Sequence, residues 1–356
     1  MSGDAPRGLA PVVRFAPAKL NLTLAVLGRR PDGHHELHSI MVTLGFGDVL
    51  TLAVAPGGVD SLHVEGLDPG PSDDNLILRA LAETRRAVGA GWAGGRDGPS
   101  GSAGAAAPPL AARLDKRIPV AAGLGGGSSD AAAAIVGAAE AWGAELVDPV
   151  RTEIAARLGS DVPFFLAAGA AIVEGRGERV SPVRGIVGRP PGILLVTPSM
   201  AISTAAVFAA FDGGAQPADR GATAASSTHL AGEVQRGLTA ERLLDRAAVL
   251  ASANDLATAT AVVEPAIVGL RRALARLLGR PIGQSGSGPT LWALYPSAGD
   301  AVAGASLVDA ALAAGTLPLV GPAPPTVVAT TITVGQHDVH DTNAASDRGP
   351  EREGPA

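Results

Sequence analysis

The chain contains no cysteine, which excludes disulfides, zinc–thiolate sites and thiol nucleophiles. It has no excess of positive charge either. Its 28 Lys+Arg against 34 Asp+Glu give a formal net charge of −6, so nucleic acid is not an expected partner. Local basic residues can still bind a phosphorylated small molecule. No apolar run is long enough to span a bilayer, because Glu, Arg or Pro interrupts the alanine-rich stretches. Residues 1–10 lack the basic region and apolar core of a signal peptide, and no internal repeat is visible. These absences predict a soluble cytoplasmic protein with no membrane partner. What is present is bulk: 356 residues, 46% of them hydrophobic, are enough for two domains with a core each.

Strand-like and helix-like segments alternate along the chain, which predicts an α+β or α/β architecture. Residues 19–27 alternate clearly, with Leu20, Leu22, Leu24 and Val26 on one face and Lys19, Asn21 and Thr23 on the other. Pro31-Asp32-Gly33 then predicts a turn. Residues 75–88 and 264–278 read as helices, the second with Arg271, Arg272 and Arg276 facing solvent. Residues 90–109 read as a small-residue insertion, residues 212–227 as a loop without periodicity, and residues 336–356 as a disordered tail.

The most informative stretch is Pro119-Val120-Ala121-Ala122-Gly123-Leu124-Gly125-Gly126-Gly127-Ser128-Ser129-Asp130. A strand-like segment ending at Lys116-Arg117-Ile118 enters it and an alanine-rich helical segment leaves it. Glycines let backbone N–H groups approach an anion, and a helix N-terminus adds partial positive charge. That predicts a phosphate cradle. No Lys-Ser or Lys-Thr follows the glycines, so this is not a Walker A loop, and the glycine spacing is not that of a dinucleotide fingerprint. The competing reading is a Gly/Ser linker. It is disfavoured by the tight flanking elements and by Ser128, Ser129 and Asp130 as helix-starting residues.

Other constellations are individually ambiguous. Lys19 beside Asn21 reads either as a solvated edge charge or as a functional pair. Asp161, in Gly159-Ser160-Asp161-Val162-Pro163, reads first as a helix cap and second as a partly desolvated general base. The second glycine-rich segment, Gln284-Ser285-Gly286-Ser287-Gly288-Pro289-Thr290, reads as a turn before a strand or as a second binding loop. Asn254-Asp255-Leu256 reads as a cap or turn. His34, His35 and His38 lack a standard zinc spacing, so no protein metal site is expected.

Together these segments resemble the GHMP kinase family of small-molecule kinases. The loop at residues 119–129 carries the likeness, with Pro17-Ala18-Lys19-Leu20-Asn21-Leu22, Asp74-Asn75-Leu76, Lys116-Arg117-Ile118-Pro119, residues 159–163 and Ser285-Gly286-Ser287-Gly288 in family order. Gly28-Arg29-Arg30-Pro31-Asp32-Gly33-His34-His35-Glu36-Leu37 narrows it to the branch acting on a cytidyl diphosphate alcohol in the non-mevalonate route to isoprenoids. The resemblance implies an α+β, two-domain GHMP kinase fold. A ribosomal-protein-S5-like domain would span residues 11–172 and a ferredoxin-like domain residues 173–335, with ATP and substrate meeting between them.

It also implies roles. Asp161 would take the hydroxyl proton, with Lys19 positioning it and stabilising negative charge. Gly123, Leu124, Gly125, Gly126, Gly127, Ser128 and Ser129 would hold the triphosphate of ATP, with Mg²⁺ bridging phosphate oxygens. Asn75, Lys116 and Pro119 would lie near the nucleotide. Asn21, His34, His35, Thr204, Phe208, Ser285 and Gly286 would surround the cytidyl substrate. The family usually has tyrosine where this chain has His34, and that ring is expected to stack on cytosine opposite Phe208. A monomer or weak homodimer is expected. Another GHMP kinase, of homoserine or mevalonate type, and a non-catalytic nucleotide-binding protein are the alternatives.

Overall fold

The computed structural model describes residues 10–55, 57–68, 75–92, 107–167 and 169–334. Two long strands open the chain as an antiparallel hairpin: β1 (Val12–Arg29) and β2 (His35–Val54). The predicted turn joins them. Gly33 takes a left-handed φ of 85°, and the Asp32 carboxylate accepts from the His34 N–H at 3.0 Å. The alternation in β1 holds, but both of its faces are covered. Leu20 and Leu22 are buried as expected, and so are Lys19, Asn21 and Thr23.

There follow β3 (Ser61–Gly66), α1 (Leu76–Trp92), β4 (Leu110–Lys116), α2 (Gly126–Ala141), α3 (Asp148–Leu158), α4 (Val162–Ala167), β5 (Ala170–Gly175) and β6 (Arg179–Val183). The strands form a six-stranded sheet in the order β3-β4-β2-β5-β6, with β1 also paired to β2. Helix α2 buries Ala131, Ala134, Ile135 and Ala138. Its small side chains bring it close to Leu50 and Leu52 of β2 and Leu81 of α1, within one core.

The second half contains β7 (Ile186–Val187), β8 (Gly192–Thr197), α5 (Thr204–Asp212), α6 (Arg220–Arg236), β9 (Leu238–Thr239), α7 (Ala240–Asp245), α8 (Ala247–Ser252), α9 (Ala257–Val263), α10 (Ala266–Leu278), β10 (Gly283–Gln284), β11 (Leu291–Tyr295), α11 (Ala298–Ala313) and β12 (Thr326–Thr331). Strands in the order β10-β11-β8-β12 make an antiparallel sheet. Helices α10 and α11 pack on it through Leu270, Leu274 and Val308. A further core joins the halves: Leu20 and Ile40 of the first sheet share it with Leu195 and Trp292 of the second and Leu230 of α6.

Several expectations change. The first sheet runs through Val183, so β5 straddles the expected domain boundary at residues 172 and 173. Residues 220–227, read as loop, belong to α6. Its buried positions Thr223, Ser227, Leu230, Ala231 and Val234 have helical spacing, but the first two are small and polar, which hid the period. Arg271 does not face solvent. It donates to the carbonyls of Ile282 at 2.7 Å and Ala251 at 2.6 Å, and burial lowers its pKa. Strand β12 joins the second sheet, and just beyond it Ile332 bridges back to Leu44 of β2. Residues 93–106 of the expected insertion and the expected tail at 336–356 lie outside the described residues. Among the described residues no helix is long and apolar enough to cross a membrane.

Candidate active site

The glycine loop leads from β4 into α2, as the pattern predicted. The Lys19 N–H donates to the Leu124 carbonyl at 2.9 Å, which ties the loop to β1. Gly123 and Gly125 take left-handed φ of 77° and 71°. A Cβ on Gly125 would stand 2.9 Å from Lys19 Cγ and from Phe165 Cζ, and one on Gly126 would stand 2.9 Å from Lys116 Nζ. These glycines thus permit close approach of protein to protein, as well as of backbone to an anion.

Helix α2 begins at Gly126 behind Gly125, which makes no side-chain cap bond. Ser128 and Ser129 therefore lie inside the first turn and do not cap it. Ser128 lines the cavity with Gly125, Gly126 and Gly127. Ser129 is 1% exposed, and its Oγ has no hydrogen-bond partner. Leu124 points its side chain into the core. Neither of these two side chains lines the cavity, although both were expected at the phosphates.

Lys19 projects from β1 into a cavity of about 930 Å³. Its Nζ donates to Asn21 Oδ1 at 2.6 Å and lies 3.7 Å from Asp161 Oδ2. Asp161, just ahead of α4, keeps 38% of its side chain exposed, so its carboxylate can meet a ligand. The edge-charge reading of Lys19 fails, since the residue is 5% exposed.

At one end of the cavity, Asn75 both lines it and caps α1, its Oδ1 accepting from the Ile77 N–H at 2.9 Å. Pro119 and Lys116 line the same end. Lys116 is held between two buried carboxylates: Asp130, read from the sequence only as a helix-starting residue, and Asp48, which the sequence did not single out. Its Nζ donates to Asp48, and to Asp130 at 2.8 Å. Asp48 also accepts from the N–H groups of Arg117 at 2.6 Å and Ile118 at 2.8 Å. Burial pushes the Asp130 carboxyl up to about 7, with Lys116 opposing the rise and Asp48 adding to it. No sequence spacing signals this trio, because its members come from β2, β4 and α2.

His34, His35, Thr204, Phe208 and Gly286 also line the cavity, and Gly286 sits beside the Lys19–Asn21 pair, a Cβ on it standing 3.5 Å from Lys19 Nζ and 3.4 Å from Asn21 Oδ1. The ring stacked on Phe208 is His35, with centroids 4.7 Å apart and planes at 19°. His35 Nε2 also lies 2.8 Å from Asp212 Oδ1. His34, the expected stacking residue, has 54% of its side chain exposed. Thr204 Oγ1 lies 2.9 Å from Ser287 Oγ.

The second glycine-rich segment meets the first directly. Ser285, fully buried, donates from Oγ to the Gly123 carbonyl at 2.9 Å. It clasps the two loops and does not line the cavity. Asn254 Nδ2 donates to the carbonyls of Gln284 at 3.1 Å and Gly286 at 2.8 Å, which fixes the second loop. Among the described residues no cluster of His, Asp and Glu could hold a metal ion.

The family model of the GHMP kinases N terminal domain matches residues 75–169. A 4-diphosphocytidyl-2-C-methyl-D-erythritol kinase of Pelotomaculum thermopropionicum is 39% identical over 283 residues, which cover 80% of this chain and 88% of the relative. One of Methylorubrum extorquens is 38% identical over 311 residues, covering 83% and 94%. A crystal structure of 4-(cytidine 5'-diphospho)-2C-methyl-D-erythritol kinase is 28% identical with a TM-score of 0.64, covering 91% of this chain and 100% of the other. A homoserine kinase from Cytophaga hutchinsonii has a TM-score of 0.61 at 16% identity, over 94% and 98% of the two chains, a likeness of fold alone.

Proposed function

Because the chain belongs to the 4-diphosphocytidyl-2-C-methyl-D-erythritol kinases, in the GHMP kinase family, we propose that Lys19 and Asp161 form its transfer site. The enzyme phosphorylates the 2-hydroxyl of 4-diphosphocytidyl-2-C-methyl-D-erythritol with ATP, giving the 2-phosphate and ADP, in the non-mevalonate route to isopentenyl diphosphate. The observation that carries the site assignment is the 3.7 Å approach of Lys19 Nζ to Asp161 Oδ2 in a cavity that the glycine loop also lines.

In this reading the substrate hydroxyl lies against Asp161. Its oxygen attacks the γ-phosphorus, its proton passes to the carboxylate, and ADP leaves in line. Phosphoryl transfer needs chiefly positioning and stabilisation of charge on the transferring oxygens. Lys19 supplies a fixed ammonium for both, 3.7 Å from the Asp161 carboxylate that accepts the proton.

Gly123 to Ser128 and the start of α2 receive the triphosphate, while Asn75, Pro119 and Lys116 line the nucleotide end. Lys116 is already neutralised by Asp48 and Asp130, so it acts there as a hydrogen-bond donor more than as a free charge. Asn21, His34, His35, Thr204, Phe208 and Gly286 receive the cytidyl substrate.

Mg²⁺ fits this site only in one manner. With no acidic cluster among the described residues, the ion would be held mainly through ATP and water, with Asp161 and Ser128, which line the cavity, as side chains that could join it. It would supply neutralisation of phosphate charge. The reading further assigns a cytoplasmic monomer or weak homodimer.

The test is ADP release from Mg·ATP with the cytidyl alcohol, run beside homoserine and phosphomevalonate. Selective turnover of the cytidyl alcohol is expected. Turnover of another alcohol instead overturns the substrate, and none at all in protein that binds ATP overturns catalysis. Asp161→Asn is expected to keep ATP binding and lower kcat by on the order of a hundredfold or more. Near-normal turnover would remove Asp161 from the role of base.

A further inference from the structure

We propose that Ser39 is a positioning residue for phosphoryl transfer: its hydroxyl fixes which way the Asn21 amide faces, and thereby holds the Lys19 ammonium in place. This rests on the assignment of Lys19 and Asp161 above.

Four groups share their protons in one direction. The Thr23 carbonyl can only accept, so the short contact from Ser39 Oγ, at 2.6 Å, commits the serine proton to it. Only lone pairs then remain on Ser39 Oγ for Asn21, 2.8 Å away. The amide must therefore turn its NH₂ toward Ser39, which leaves Oδ1 facing Lys19 Nζ at 2.6 Å. An ammonium has three donors and no acceptor, so this is the amide orientation that attracts it. The flipped amide would set donor against donor. A chain of one polarity results, running from the Thr23 carbonyl through Ser39 and Asn21 to Lys19, and from Lys19 to Asp161.

Among the described residues, Asn21 Nδ2 has no hydrogen-bond partner but Ser39. Lys19, Asn21 and Ser39 are 5%, 5% and 2% exposed, and all three line the cavity. The Thr23 hydroxyl is already engaged, accepting from the Ile40 N–H at 3.1 Å and lying 2.7 Å from Ser227 Oγ. The β1–β2 register shift between Asn21 and Thr23 falls inside this network. It is the kind of local irregularity that re-aims side chains at a site.

Removing one partner of a buried hydrogen bond leaves the other unsatisfied, at a cost that corresponds to about a ten- to hundredfold effect. In Ser39→Ala the amide loses its anchor, and Lys19 loses a fixed acceptor at the moment when its position matters most. The test is a double-mutant cycle on kcat with Mg·ATP and the cytidyl alcohol, using Ser39→Ala, Asn21→Ala and the pair.

Ser39→Ala is expected to lower kcat by about ten- to a hundredfold, with the KM for ATP unchanged. Ser39→Thr, which keeps the hydroxyl, should restore kcat to within about threefold of wild type. In the Asn21→Ala background, adding Ser39→Ala should change kcat by less than about twofold, since no amide remains to orient. The proposal is overturned by wild-type kcat in Ser39→Ala. It is equally overturned by an equal loss in both backgrounds, which would make the serine merely structural. Absence of turnover by the wild type would instead sink the kinase reading, and the positioning role with it.

Discussion

The two glycine loops, one from each half of the chain, meet backbone to backbone, and Gly123→Ala measures that contact. Gly123 has φ of 77°, and a Cβ there would stand 2.4 Å from the Ser285 carbonyl oxygen and 3.0 Å from that of Gly288. Both obstacles are backbone, so the loops would have to separate. A left-handed alanine costs about 1–2 kcal/mol. Losing the Ser285–Gly123 hydrogen bond, 2.9 Å in the folded protein, costs about 1 kcal/mol more, and the Thr290 N–H to Ala122 carbonyl bond at 3.3 Å lies in the same contact.

Gly143 provides the control. Its φ is 61°, but nothing lies within 4 Å of the built Cβ, so Gly143→Ala bears the backbone cost alone. Gly123→Ala should therefore be the less stable variant by roughly 1–2 kcal/mol, a difference of a few degrees in Tm by calorimetry. It should also raise the KM for Mg·ATP several-fold, because the displaced loop is the one proposed to hold the triphosphate. Equal Tm values for the two variants, with an unchanged KM for ATP, would refute the idea that close packing of the loops needs glycine here.

Two further outcomes follow from the site. Burial raises the folded Asp130 carboxyl from its ordinary 3.8 to about 7, so the folded protein retains a proton that the unfolded chain gives up. The stability this supplies is present below about pH 3.8 and is lost as pH rises through about 7. In Asp130→Asn the position stays neutral, so its Tm relative to wild type should climb between about pH 4 and 7 and then level off; a pH-independent difference would count against the assignment. His34→Tyr should lower the KM for the cytidyl alcohol a few-fold and leave that for ATP unchanged, because tyrosine offers a larger stacking face. An unchanged KM for the cytidyl alcohol in His34→Tyr would remove His34 from the stacking role.

Much of the site was legible because its motifs are local. The glycine loop, the Lys19–Asn21 pair and the Ser160-Asp161 segment each lie within a few residues, and each occurs where a strand or helix begins or ends. What could not be read locally was the use made of each residue. Ser129 and Leu124 belong to the loop motif, but helical phase and strand contact turn their side chains inward. Ser285 looked like a substrate contact, but its hydroxyl is occupied by the opposite loop. His34 and His35 are adjacent, and only the packing of α5 determines which of them meets Phe208. Helix α6 escaped notice because threonine and serine fill its inward positions, where Ser227 bonds across to Thr23 of β1.

The sequence by itself determined the family, the two-part α+β architecture, the phosphate loop and the residues available for acid–base chemistry. These follow from short-range pattern: glycine and serine spacing, strand alternation and helix starts. The tertiary structure alone decided which charges are matched. Asp48, Lys116 and Asp130 come from three separate elements, and Ser39 reaches Asn21 across a shifted strand register. The reason is physical. A buried polar group must find its partner in space, and that partner is chosen by how strands and helices pack, at separations in sequence that no local pattern records.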